Sequence, residues 1–517
     1  MKHASYILSG ALLFLAVACG GNKPEVETGG TKKPIPGGGT PTESVSKSAE
    51  EKFNAAMDAF VAHDKANDWT DETCAASAKA FEAAASEQKS GKFPEATFNA
   101  GLAYQRCGND KEARAKFEKT LADDSNFSSA RAQIALYKYK ADSNEDGVIA
   151  ELQQAVLDAK FQNVPALVNL AMFQMQRDGS AGTQGCKDDF ECAKQNLQRA
   201  LAIDDAFMPA FNQLALYYFS QAKKRAGAIK SSQKGGRGRQ IATNAAMGKR
   251  ADVQQLELAA LVCSQAIRKN PNYAPIHNTA GLIQNELGQV NSAVGEFAQA
   301  AKLDPKFFEA QMNYAAVNLS FRGFEQAQGA YKKALEMRPN DYDAHLGLAL
   351  ALRGLINDSN YDAQVAAVQS ELDACKKLDA ARPDAYYNEG ILTQEYKAKA
   401  GGGKDKTIAA LQAAKAIYQS FLDKAEGKPE YDGAVKRTKG NGAKDLGRMG
   451  DIDDTITFLQ LPGPEANPPP AAAPAGGAAP AADAPAAGAT PPPAGGAGAT
   501  PAPAAPAAAP AAPAEKK

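Results

Sequence analysis

Chemistry needs side chains that move protons, attack or coordinate, and this sequence is sparing with them. It holds four histidines in 517 residues. His3 lies in an apolar N-terminal run, while His277 and His345 fall at one place in a repeated pattern, where a packing residue belongs. No nucleophile elbow, P-loop or H-E-x-x-H pair occurs. Gly235-Gly236-Arg237-Gly238 has the glycines of a phosphate loop but no strand before it. The nearest approach to a metal site is Asp142, Asn144, Asp146 and Gly147, the opening of a D-x-N-x-D-G calcium loop with Ile149 in register. Its closing bidentate glutamate would fall where Gln153 stands. An acidic turn with glycine is also what two short helices need between them, so neither metal nor cofactor is expected.

Cysteines and cations offer more. Cys186 and Cys192 flank a short polar run and predict a local disulfide. Cys74 and Cys107 could form a second bridge, while Cys263 and Cys375 read as buried thiols. No pair has C-x-x-C spacing. Nine cations, Lys223, Lys224, Arg225, Lys230, Lys234, Arg237, Arg239, Lys249 and Arg250, occur with no acidic residue among them. Two readings stand open: a solvated loop, or an anion-binding arm for lipopolysaccharide phosphates, wall polymers or an acidic partner. Over the whole chain 58 basic residues balance 59 acidic ones, which argues against a dedicated nucleic-acid binder.

The elements that position these residues follow from a period. Pro271, Pro305 and Pro339 stand 34 residues apart. Gly281, Ala315 and Ala349 keep that step, as do Ala293 and Ala327, Phe297 and Tyr331, and Ala300 and Ala334. Within one period His277, Gly281 and Gln284 share a helical face, Gly288 supplies a turn, and Ala293, Phe297 and Ala300 share a second face. Small residues there let two helices approach closely, and the aromatic fills the space beside them. Asp304 and Pro305 end the second helix.

This pattern resembles the tetratricopeptide repeat, which implies an all-α superhelix of stacked helix pairs. Around the regular middle, the same marks recur with insertions. Phe53, Met57 and Phe60 open a first unit with Phe81 and Ala84. Gly101 with Ala113 and Phe117 marks the second, Ala135 with Leu152 and Ala155 the third, and Ala171 with Leu197 and Ala200 the fourth. A fifth opens at Phe211 and resumes near Gln254, with the basic insertion, 223–252, between its helices. The eighth closes at Pro383, and a last pair runs to Leu422. About nine units over 48–424 are expected, with 425–461 as a cap in which Ile452, Ile456 and Leu459 share a face.

The ends read differently. Residues 1–18 form a signal: Lys2 and His3, then an apolar run too short for a comfortable membrane span. It ends Ala16-Val17-Ala18-Cys19, similar to the lipobox of bacterial lipoproteins, which implies acylation of Cys19. Outer-membrane attachment facing the periplasm is expected. Residues 19–47 read as a tether, and 462–517, almost wholly Ala, Pro and Gly, as a spacer that cannot bury enough apolar area to order itself.

Stacked first helices would line an inner groove for peptides or helices. Asn99, Asn169, Asn313 and Asn388 each stand two places before the small residue of their unit, where the family often places an asparagine against a bound backbone. A purely scaffolding asparagine is equally compatible with that position. The layout resembles tetratricopeptide lipoproteins of the myxobacterial gliding-motility apparatus, which implies a non-catalytic envelope scaffold with other envelope proteins as partners. The alternatives are a pilotin-like or protease-adaptor lipoprotein, or a glycan- or lipopolysaccharide-binding protein using the basic insertion.

Overall fold

The computed structural model describes residues 45–66, 68–180, 185–233, 240–440, 442 and 445–461, with side chains left out over 225–252. Among these described residues nine helix pairs follow one another. They are α1 (Lys47–Ala66) with α2 (Asp71–Ser86), α3 (Pro94–Arg106) with α4 (Asp110–Asp123), and α5 (Ser128–Asp142) with α6 (Glu145–Asp158). Next come α7 (Val164–Arg177) with α8 (Asp189–Ile203), α9 (Met208–Gln233) with α10 (Gln240–Lys269), and α11 (Ala274–Glu286) with α12 (Val290–Leu303). The last three are α13 (Phe308–Ser320) with α14 (Phe324–Met337), α15 (Tyr342–Gly354) with α16 (Tyr361–Leu378), and α17 (Asp384–Glu395) with α18 (Lys404–Ala425). Two further helices, α19 (Asp432–Lys439) and α20 (Gly447–Gln460), end the stack. Each helix packs on its pair partner and on the first helix of the next unit, and successive first helices also touch. The result is an α-α solenoid whose core is spread along its length.

Local sequence sets the helix ends. Asn109, Asn144, Asn163, Asp188 and Asp341 each accept a backbone N–H from three residues on, at 2.8–3.4 Å, which satisfies an otherwise unpaired donor. Pro94, Pro165 and Pro275 sit in first turns, where no donor is lost. Between units one device recurs five times. The side chains of Asp124, Asp204, Asn270, Asp304 and Asp379 accept the N–H two residues on, at 2.9–3.0 Å. Gly108 and Gly288 supply the positive φ, +69° and +77°, of the turns inside their pairs.

Close approach explains the small residues. A Cβ built on Gly101, Gly281 or Gly390 would lie 2.5–2.6 Å from the ring of Phe117, Phe297 or Tyr418, the aromatic of its own partner helix. Ala293, Ala300, Ala327 and Ala334 are wholly buried. At the C-terminal end, Ile452 of α20 is fully buried in one cluster with Tyr387, Tyr418 and Phe421, and Ile456 and Leu459 pack against it.

The basic insertion differs from expectation. Helix α9 continues through Lys223 and Lys224 to Gln233, and α10 begins at Gln240, well before Gln254. Most of 223–252 is therefore two helical extensions rather than a loop. Runs of Ala and other helix-tolerant residues (Ala226, Ala228, Ile229, Ala242, Ala245, Ala246) outweigh the isolated glycines. Cys19, the signal, most of the tether, Lys234, Arg237, Arg239 and the tail lie outside the described residues.

Candidate protein-binding groove

First helices touch their own partner, the preceding second helix and their first-helix neighbours. That leaves one stripe of each facing the inner side. On α7 the residues still partly open are Pro165, Met172, Met175, Gln176 and, at its end, Arg177; on α9 Pro209, Leu216 and Ser220 hold the places of Pro165, Met172 and Gln176.

The asparagines expected to face a ligand are turned inward. Asn99 and Asn169 are each 2% exposed, Asn313 6% and Asn388 7%. The Asn99 Nδ2 donates to the Glu95 carbonyl at 2.7 Å and the Asn388 Nδ2 to the Asp384 carbonyl at 2.8 Å, each one helical turn back. Asn313 Nδ2 donates to Asn278 Oδ1 of the preceding first helix at 2.9 Å. Thr279 Oγ1 likewise donates to Asn212 Oδ1 at 2.7 Å, and Gln105 Nε2 to Gln133 Oε1 at 3.1 Å. These amides tie first helix to first helix. Buried donors must find partners, and within a stack the nearest ones belong to the adjoining unit.

Arg353 of α15 extends this ladder: its guanidinium donates to Asn388 Oδ1 at 3.1 Å. It forms no ion pair with any described carboxylate, and burial pulls its pKa below the ordinary arginine value. The carboxylates of α17, the helix that carries Asn388, are engaged elsewhere. Glu395 pairs with Arg448 and Lys399, Asp384 with Arg382, and Glu389 with Lys376.

His277 and His345 bridge helices. His277 Nδ1 lies 2.6 Å from Glu296 Oε2 of α12, and its Nε2 lies 2.9 Å from the Pro271 carbonyl. His345 repeats this with Glu371 at 2.6 Å and the Pro339 carbonyl at 2.9 Å. In His277 both ring nitrogens face acceptors, an arrangement the imidazolium satisfies best. For His277, burial pulls the pKa down, but the hydrogen bonds to Glu296 and the Pro271 carbonyl outweigh it and leave the value raised.

The acidic turn has a structural task. Asp142 Oδ1 accepts the Asn144 N–H at 2.9 Å, and Asn144 Oδ1 accepts the Gly147 N–H at 3.0 Å, capping α6. Asp146 pairs with Arg177 at 2.7 Å. Among the described residues no cluster of three or more His, Cys, Asp or Glu is arranged to hold a metal.

Cys186 and Cys192 are joined, with Cα atoms 5.3 Å apart, and so are Cys74 and Cys107, 6.3 Å apart across 33 residues. Sequence reasoning missed what holds the first of these loops. Arg177 donates two hydrogen bonds, 2.7 and 2.8 Å, to the fully buried Asp189, which also accepts the Gly179 N–H at 2.7 Å. Cys263 and Cys375 are buried, and burial pushes each thiol up to about 12, which suits packing and not attack.

At the root of the basic extension, Lys223 pairs with Glu286 of the following unit at 3.1 Å and Lys224 with Asp178 of the preceding one. Lys224 also lies 3.3 Å from the Phe190 ring centroid. These two cations therefore brace the solenoid. For Arg225, Lys230, Lys249 and Arg250 the helix backbone alone is described. Among the described residues no helix is long and apolar enough to cross a membrane.

Residues 319–385 match the tetratricopeptide repeat family. A curated relative, small glutamine-rich tetratricopeptide repeat-containing protein 2 of Mycosarcoma maydis, is 30% identical over 99 residues, 19% of this chain and 28% of its own length. The chain thus spans well under a third of that relative. Among solved structures, a tetratricopeptide repeat protein of Thermus thermophilus is 24% identical, covering 44% of this chain and 99% of its own, with a TM-score of 0.33. PilF of Pseudomonas aeruginosa is 17% identical, covering 52% and 97%, with a TM-score of 0.32.

Proposed function

We propose that this chain is a non-catalytic scaffold whose inner face holds segments of other proteins. The observation that carries this reading is the stack of nine helix pairs, whose first helices touch in series and leave one side unpartnered. Repeats of this kind bind through extended inner surfaces. Among the described residues the chemistry-bearing groups serve packing: His277 and His345 bridge helices, Cys263 and Cys375 are buried and the acidic turn caps α6. On our reading, acyl chains on Cys19 hold the solenoid at the outer membrane, facing the periplasm. The work is assembly of an envelope machine, with gliding motility the closest match of layout.

A photo-crosslinking amino acid at Leu216 on the inner face, or at Leu157 on the outer side of α6, tests this in the full chain in cells. Discrete protein adducts from Leu216, absent from Leu157, are the expected result. Equal labelling from both sites, or none from Leu216, removes the groove reading. The anchor is tested apart from it: Cys19→Ser should move the protein from membrane to soluble fractions, and continued sedimentation with membranes would refute acylation.

A further inference from the structure

Charge is distributed unevenly along the inner helices. Over 164–176, 208–222, 274–285 and 310–321, which span most of α7, α9, α11 and α13, there is no Lys, Arg, Asp or Glu. The chain as a whole is 23% charged. One residue past the small residue of the second to ninth units, an apolar side chain recurs: Leu102, Leu136, Met172, Leu216, Leu282, Ala316, Leu350 and Ile391. Shared register puts all eight on one face of their helices. Leu136 and Leu282 are buried and the other six half-buried, so the seam's apolar exposure is modest and interrupted.

On α15 that seam meets a cation. Arg353 stands three residues after Leu350 on α15, and its one described hydrogen bond goes to the neutral Asn388 amide of α17. A guanidinium presents five donors. Withdrawing it from water without a counter-ion is costly, and a carboxylate that arrived would recover much of that cost. The three carboxylates of α17, the helix that carries Asn388, are spoken for: Glu395, Asp384 and Glu389 each hold another cation. Arg448 illustrates the contrast, since it shares the neighbourhood but pairs with Glu395 at 3.0 Å.

We infer that the inner face takes a partner segment with an uncharged, apolar-studded body and one carboxylate, which seats on Arg353. The inference rests on the groove reading above and sharpens it. Complementarity of this kind acts against wrong partners, because a basic segment would face Arg353 and an acidic body would lie unpaired on α7 to α13.

Selection of a random twelve-residue peptide library displayed on phage, against the full chain, tests this. Wild type should enrich peptides with Asp or Glu at one fixed place in an otherwise uncharged sequence. Synthetic peptides from that pool should lose about tenfold or more in affinity when the acid becomes Asn or Gln. Arg353→Gln should abolish the acidic preference while retaining its melting temperature, and Arg353→Glu should select Lys or Arg at the same place. Enriched peptides with no acidic position, or the same preference on Arg353→Gln, overturn the inference while leaving the groove in place. No enrichment over an unrelated helical protein overturns the groove reading as well.

Discussion

The pairs α11–α12 and α15–α16 carry the same repeat and solve its packing differently. In the first, the small residue is Gly281 and the space it leaves holds the Phe297 ring. In the second, alanine stands there, Ala349, and the aromatic place is taken by Cys375, both essentially inaccessible. The close glycine–ring contact moves to Gly347, which lies against Tyr331 of the preceding pair. Neither residue is held constant; the close glycine–ring packing is met at a different crossing, as close packing requires. The sharpest way to break this is Gly281→Leu. A single Cβ already meets the ring at 2.6 Å, so a full leucine should cost about 3 kcal/mol, the top of the overpacking range. Denaturant melts would show the loss, and amide exchange should place it in α11–α12 with α15–α16 little changed. An unchanged exchange pattern in α11–α12 would contradict the register.

The comparison also predicts a rescue. Cys375→Phe alone inserts a ring opposite alanine and should cost about 2 kcal/mol. Ala349→Gly alone should cost about 1 kcal/mol, from the flexibility of glycine within a helix. Made together, the two changes rebuild the Gly281–Phe297 arrangement. The double variant should then be more stable than the sum of the singles by about 1 kcal/mol or more. Simple additivity would mean that the two positions do not share a crossing. The outcome is read from unfolding midpoints of the four proteins in one cycle.

These contrasts show why the fold was legible and the groove was not. Proline, glycine and aromatic spacing is set within one unit, so the sequence alone displays the period of Pro271, Pro305 and Pro339 and the close contacts it demands. The fate of Asn313 depends on Asn278, 35 residues away in the neighbouring unit, and nothing in either residue's own surroundings announces that bond. Arg353 was invisible for the same reason, since its meaning lies in what its neighbours have already paired with. The basic stretch misled differently. Its glycines and serines resemble a loop, but flanking alanines let the helices of α9 and α10 run on. Asp189 lies within the short polar run between Cys186 and Cys192, and only the fold brings Arg177 onto it.

The histidine bridges offer the finest test of the two pairs. His277 and His345 make the same two contacts, but the His277 side chain is 7% exposed and that of His345 16%. Because the folded pKa of His277 is raised, the bridge contributes fully below the ordinary histidine value, near 6.5. Its contribution fades as pH rises through the raised value, where the imidazolium loses a proton that both acceptors favoured. His277→Gln removes the charge and keeps a donor. Its stability deficit against wild type should therefore be about 1 kcal/mol near pH 5.5 and should shrink near pH 8.5. The deficit of His345→Gln near pH 5.5 should be smaller, since a more open pair is better screened by water. Melting curves of the three proteins at both pH values decide it. A His277→Gln deficit that grew with pH would mean that the neutral ring, and not the imidazolium, holds α11 to α12.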